Sequence, residues 1–389
     1  MHVSDFVLLA LTGLLAACVP LILIRSATGT NKLHKLAWAI AFVTFDLIVF
    51  GGFTRLTDSG LGCPDWPGCY GEANPFLAHA HIAAAEALLP TGPVTKIKAW
   101  IEMIHRFLAM GIGILIIVLL VACWRRWGRT RVRAYTPGLP GMLLLWVCVQ
   151  GAFGAWTVTM KLQPIIVTLH LLFGMTLLAL AVWMGGRVDT VGQPATTALS
   201  FEQVAAQIDK LRRLRPLAWL SGAILLVQLF LGGWVSTNYA TLACSDFPLC
   251  NGQVMPPMDF ERGFTLWRAL GRDAAGDYLP FQALTAIHWV HRNFAFVVVL
   301  VLGWTAWRAW RLPALHKTAR NMALVLVIQA LTGIATVFLN FPLVVAVLHN
   351  AGAAFLVLLV TMLNYKVQHQ LERTRTVPQF QRAASASHS

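Results

Sequence analysis

The chain has 389 residues, of which 57% are hydrophobic and only 12% charged, with a formal net charge of +14. So few charges cannot cover a globule of this size, which excludes a soluble protein and leaves a polytopic membrane protein. The positive balance does not indicate nucleic-acid binding, because it is confined to alternate loops and the tail. Arg125, Arg126, Arg129, Arg131 and Arg133 form one block, Lys210, Arg212, Arg213 and Arg215 a second, and Arg308, Arg311, Lys317 and Arg320 a third. With Arg25, Lys32, Lys35 and the tail residues they mark the cytoplasmic side by the positive-inside rule. Loops carrying Asp58, Asp65, Glu72, Asp246, Asp259, Glu261, Asp273 and Asp277 then lie outside.

In chain order, apolar runs of bilayer length fall at 5–24, 36–53, 101–123, 139–158, 164–184, 217–236, 282–304, 320–340 and 342–364. The first lacks Lys or Arg ahead of it and has Arg25, Lys32 and Lys35 behind it, so it reads as a retained helix rather than a signal peptide. Residues 187–216 read as a cytoplasmic linker containing Pro194, with helical spacing from Phe201 to Leu214 that suits an interfacial segment. The tail from Val367, with its Ala384-Ser385-Ala386-Ser387 end, reads as disordered.

The chain repeats itself. Gly51-Gly52 and the loop Cys63-Pro64-Asp65-Trp66-Pro67-Gly68-Cys69 match Gly232-Gly233 and Cys244-Ser245-Asp246-Phe247-Pro248-Leu249-Cys250. Further on, Glu102-Met103-Ile104-His105-Arg106 matches His288-Trp289-Val290-His291-Arg292, then Gln150 matches Gln329 and His170 matches His349. The expected fold is all-α: two tandem four-helix transmembrane bundles related by a pseudo-twofold along the membrane normal, plus one extra N-terminal helix. The domain boundaries that follow are 1–35 for the extra helix and its loop, 36–186 and 217–366 for the bundles, 187–216 for the linker and 367–389 for the tail.

Ionisable groups at the head of a membrane helix are costly and usually face the protein interior. Glu102 and His105 lie three residues apart, on one helix face. His105 and His170 occupy the first and third helices after the first Cys loop, and His291 and His349 the equivalent helices after the second. His170 follows Pro164 by six residues and His349 follows Pro342 by seven, roughly 10 Å below the outer surface at 1.5 Å per residue. Paired imidazoles at matched depth in a bundle core suit the two axial positions of a haem iron. Zinc draws three or four close ligands, and a di-metal carboxylate site needs several intramembrane acids, where each bundle offers essentially two imidazoles. Arg106 and Arg292 each follow a candidate ligand and are candidate partners of haem propionates. Asp46 reads as a polar packing residue. His2, His34, His79, His81, His316, His369 and His388 read as solvated.

Cys18, Cys123 and Cys148 lie within apolar runs and read as small buried hydrophobes. Cys63 with Cys69, and Cys244 with Cys250, each bracket a Pro-containing turn on the oxidising side, which favours a local disulfide in each loop over a metal site.

GGFTRLTDSGLGCPDWPGCYG, then EMIHR, a lone His in LHLLFG, and the second copy with WVHRNF and VLHNAG closely resemble the haem A synthase family, over residues 36 to 364. The resemblance implies that haem O, the substrate, lies in the first bundle on His105 and His170, and a b-type haem cofactor in the second on His291 and His349. It implies oxidation of the C8 methyl of haem O, through an alcohol, to the formyl group of haem A, with Glu102 at the position of the family's essential glutamate. It also implies a bacterial or mitochondrial inner membrane, of which the absence of an Arg-rich presequence favours the bacterial one, with the Cys loops outside by the charge rule, and as partners membrane lipid, a haem O synthase and the cytochrome oxidase assembly machinery. Self-association is left open. The residues add a reason for dividing the labour: Glu102 has His288 as its counterpart, so only the first pocket holds an acid able to accept protons or stabilise positive character. His288 departs from the family pattern and leaves His288 and His291 both open as second-site ligand, Arg292 favouring His291. The alternative function is a di-haem b-type cytochrome confined to electron transfer, which would need the same four histidines but not Glu102. A transporter built from parallel repeats would explain the duplication but not the matched His pairs.

Overall fold

The computed structural model describes residues 2–26, 32–189 and 201–386; Pro194 and His388 lie outside the described residues. The helices are α1 (Val3–Ser26), α2 (Lys32–Leu56), α3 (His79–Leu88), α4 (Lys96–Thr130), α5 (Gly138–Thr159), α6 (Pro164–Asp189), α7 (Phe201–Thr237), α8 (Phe260–Gly263), α9 (Phe281–Trp310), α10 (His316–Phe338) and α11 (Leu343–Ala386). Among the described residues nine helices are long and apolar enough to cross a membrane, as predicted, and no strand forms. Their outer faces carry large exposed apolar side chains, such as Leu15, Leu300 and Val344. On a membrane protein such faces meet lipid.

Local chemistry sets the helix ends. Thr95 caps α4 by accepting the Lys98 amide at 3.3 Å, which satisfies one of the donors a helix start leaves unpaired. Arg131, at φ 54°, ends α4 by returning its amide to the Trp127 carbonyl, so the arginine block falls at the end of the span. Pro164 opens α6, where its missing N–H removes no helix bond.

α2, α4, α5 and α6 pack in a ring, each against the next, and α7, α9, α10 and α11 do the same. Contacts between the rings follow the repeat: α2 packs on α11 as α7 packs on α6, and α6 meets α11. α1 lies outside, against α4 and α2. Backbone conformation repeats even where side chains differ. Lys161 and Leu162, between α5 and α6, have φ 50° and 58°, and Asn340 and Phe341, between α10 and α11, have 54° and 60°. Non-glycine residues adopt such angles uncommonly, so two matched pairs mark one turn used twice.

Five expectations need correction. The tail predicted to be disordered continues α11, whose Val367 and Leu371 are buried in the main core. The Phe201–Leu214 segment is not separate from the membrane span but forms one helix with it through Pro216, with Leu211 and Leu214 buried. Only Cys123 of the three helical thiols is buried, since Cys18 and Cys148 point outward. Asp46 is likewise exposed on α2 rather than packed between helices. Apolar periodicity in a membrane helix does not separate a lipid-facing from a protein-facing stripe, because both are apolar. His369, predicted to be solvated, stacks on Tyr365 with ring centroids 5.8 Å apart.

Candidate functional site

Each Cys loop is a disulfide-closed turn folded around its aspartate. Cys63 bonds Cys69 and Cys244 bonds Cys250. Asp65 accepts the amides of Tyr70 and Gly71 at 2.6 and 2.7 Å, and Asp246 accepts those of Asn251 and Gly252. The aspartate of the repeated motif is therefore a turn former. The loop lies directly on its ligand-bearing helix. A Cβ added at Gly62 would stand 2.4 Å from the backbone carbon of Lys98, so glycine is needed for this approach.

The arginine after each candidate ligand ties the loop down. Nη1 of Arg106 donates to the carbonyls of Asp65, Pro67 and Gly68 at 2.9, 3.2 and 2.6 Å. Nη1 of Arg292 donates to those of Asp246 and Leu249 at 2.7 and 2.6 Å. The guanidiniums expected opposite propionates thus hold loop carbonyls in this structure.

Glu102 is 5% exposed. One carboxylate oxygen pairs with Arg106 and the other accepts the Cys63 amide at 2.8 Å. A buried carboxylate needs both a charge partner and hydrogen bonds, and here they come from the next helical turn and from the loop. In the second bundle the Cys244 amide donates to Nδ1 of His288 at 3.3 Å. His288 therefore takes Glu102's place toward the loop, while the ring of His291 sits against α7. The two histidines left open by sequence thus have different neighbours.

The four candidate ligands share one setting. A Cβ added at Gly51 (α2), Gly154 (α5), Gly232 (α7) or Gly333 (α10) would stand 2.9, 3.3, 3.0 or 3.0 Å from Cε1 of His105, His170, His291 or His349. Each imidazole thus occupies the volume that a side chain on the neighbouring helix would fill. His105 on α4 and His170 on α6 stand on diagonal helices of their ring, whose backbones do not come close among the described residues, and so do His291 on α9 and His349 on α11. Nδ1 of His105 and of His170 is buried without a hydrogen-bond partner. Diagonal, inward-facing imidazoles are the donor set for a group held across a bundle core from both sides. No cluster of three or more His, Cys, Asp or Glu side chains occurs among the described residues, so a closed structural zinc site does not compete.

Further polar neighbours surround the rings, of which the repeat had marked Gln150 and Gln329 but not Gln228 or Thr332. Gln150 donates to the His170 carbonyl at 3.0 Å and stands 3.4 Å from its Nε2. Gln329 stands 3.3 Å from Nε2 of His349. Gln228, 3.2 Å from Nδ1 of His291, and Thr332, 3.1 Å from Nδ1 of His349, have Leu47 and Phe153 as their counterparts in the first bundle. Only the spacing of one helical turn from Gly232, and the step before Gly333, could have drawn attention to them. Outside the bundles, Arg55 reaches across to the Ser236 carbonyl at 2.6 Å and covers the ring of Tyr239, whose hydroxyl donates to Asp58 at 2.7 Å. His79 and His81 are exposed, as predicted.

The sequence matches the family described as cytochrome oxidase assembly protein over residues 34–361. It is 34% identical over 350 residues to the heme A synthase of Shewanella oneidensis, covering 88% of this chain and 100% of that one. It is 30% identical to the heme A synthase of Beijerinckia indica, covering 84% of this chain and 90% of that one. Against the heme A synthase of Erythrobacter litoralis the identity is 29%, with 84% of this chain and 94% of that one covered.

Proposed function

The chain belongs to the cytochrome oxidase assembly protein family, and from that premise we propose that it is a haem A synthase, oxidising the C8 methyl of haem O to the formyl group of haem A. The observation that carries this reading is an asymmetry within a repeat. Both bundles place two imidazoles on diagonal helices, each against a glycine, yet only the first adds a buried carboxylate one turn before its ligand.

In this reading His105 and His170 hold the substrate, haem O, and His291 and His349 hold a b-type haem. Bound there, the b-type haem supplies one-electron transfer. Glu102 is held on the face of α4 that carries His105, by Arg106 from one side and the Cys63 amide from the other. A carboxylate so placed accepts a proton and stabilises positive character as the methyl group loses electrons. Through the Cys63 amide the loop also keeps the Glu102 side chain from turning to the outer surface. The enzyme class that follows is an oxidoreductase acting on a CH group, in a bacterial inner membrane with the Cys loops outside. Delivery by a haem O synthase and consumption by cytochrome oxidase assembly follow from the same chemistry.

The test compares wild type with Glu102→Gln, co-expressed with a haem O source, by chromatography of extracted haems. Gln keeps the size and can still accept the Cys63 amide. The variant should retain haem per polypeptide and yield no hydroxylated or formyl haem. Unchanged conversion would remove Glu102 from the chemistry.

A further inference from the structure

The two bundles differ in how they hold the far side of their imidazoles. In the first, Nδ1 of both His105 and His170 is buried without a partner, and the residues at the sequence positions equivalent to Gln228 and Thr332 are Leu47 and Phe153. In the second, both Nδ1 atoms have a polar side chain within hydrogen-bond distance, from Gln228 and Thr332.

Donor counting gives a consistent tautomer for one ring. Oγ1 of Thr332 lies 3.1 Å from Nδ1 of His349 and 3.1 Å from the carbonyl oxygen of Gln329. A hydroxyl has a single proton, and a carbonyl only accepts. With the Thr332 proton on the Gln329 carbonyl, a lone pair of the hydroxyl faces the ring. In that arrangement Nδ1 of His349 carries the imidazole proton and the lone pair is on Nε2. The Gln329 amide, a donor 3.3 Å from Nε2, faces that lone pair. An imidazole prepared in this way is a ready metal ligand, and an acceptor on its N–H fixes its orientation and raises its basicity.

We propose that Thr332 is a positioning residue that locks His349 as the Nδ1–H tautomer and makes the second bundle a permanent haem site. Phe153, at the position equivalent to Thr332, has no hydroxyl with which to lock His170 in the same way, so that the first bundle can exchange substrate for product. The inference rests on the bis-histidine reading above and concerns affinity and potential rather than turnover. A stronger donor favours ferric over ferrous iron, so losing the Thr332 acceptor raises the midpoint potential of the haem held by His291 and His349.

The experiment uses the purified full chain carrying its b-type haem, in wild type, Thr332→Val, Thr332→Ser and His291→Ala. Midpoint potentials are read by spectroelectrochemistry, and haem loss by transfer to excess apomyoglobin. His291→Ala should lose the low-spin spectrum of that haem; if it does not, the ligand reading itself fails. With that control passed, Thr332→Val should lose haem roughly 10–100-fold faster, the scale of a lost outer-shell partner. Its preference for ferric iron should fall about tenfold, equivalent to 59 mV for a one-electron couple. Thr332→Ser, which keeps the hydroxyl, should behave as wild type. An unchanged potential in Thr332→Val overturns the proposal even if haem loss accelerates, because packing alone would then account for it. Failure of Ser to restore the potential overturns it as well.

Discussion

Gly51 and Gly232 offer the most selective way to separate the two sites. A Cβ at Gly51 would stand 2.9 Å from Cε1 of His105, and one at Gly232 would stand 3.0 Å from Cε1 of His291. Carbon pairs rest at about 3.5–4.0 Å, so in Gly51→Ala or Gly232→Ala the ring must retreat by roughly half an ångström or more. Overpacking of this kind costs about 1–3 kcal/mol. The helix itself gains, because Ala is better than Gly in a helix interior by roughly 0.8–1.0 kcal/mol. Global stability should therefore change little, while the loss falls on whatever the displaced imidazole binds. At about 1.4 kcal/mol per decade, haem retention at the affected site should weaken by roughly an order of magnitude. Each variant would be purified with bound haem and followed for haem loss, with thermal unfolding measured alongside. Gly51→Ala should impair substrate binding and conversion but leave the b-type haem in place; Gly232→Ala should release the b-type haem. Loss of both haems from either variant, or of neither, would refute the assignment of His105 to the first site and His291 to the second.

Other outcomes follow from the contacts around the loops and between the bundles. Arg106→Met strands a carboxylate that is 5% exposed, which should destabilise the protein by about 3–5 kcal/mol; adding Glu102→Gln should recover most of it in denaturant unfolding of the pair. The Tyr239 phenol is pushed up from its ordinary value, first by burial, with Asp58 adding to the rise and Arg55 opposing it. A raised pKa stabilises the fold below the ordinary tyrosine value of about 10. That contribution is lost as pH rises through the folded value, so unfolding midpoints of wild type and Tyr239→Phe should differ at neutral pH and converge in alkali. A constant difference through the alkaline range would show that the Tyr239–Asp58 bond is not what titrates.

The sequence exposed the repeat and the ligand candidates because both leave ionisable or sulfur-bearing residues inside otherwise apolar runs. His105, His170, His291 and His349 stand out against leucine and valine, and the spacing that relates them survived duplication. What stayed hidden depends on direction rather than identity. Arg106 could face a propionate or a loop carbonyl from the same position, and only the folded loop shows its Nη1 among three carbonyls. Gln228 and Thr332 are ordinary polar residues in apolar helices until the ring each faces is known. Cys18 and Cys148 look like Cys123 in sequence, because lipid and protein interior select the same residues. The α11 helix runs past Val367 because Val367 and Leu371 find a core to bury in, which a polar local composition conceals.

Chromatography of the haems extracted from the wild-type protein, expressed with a haem O source, tests the central claim most directly. The expected extract contains haem B together with hydroxylated or formyl haem derived from haem O. An extract of haem B and unaltered haem O alone would contradict the account and leave a di-haem electron carrier in its place.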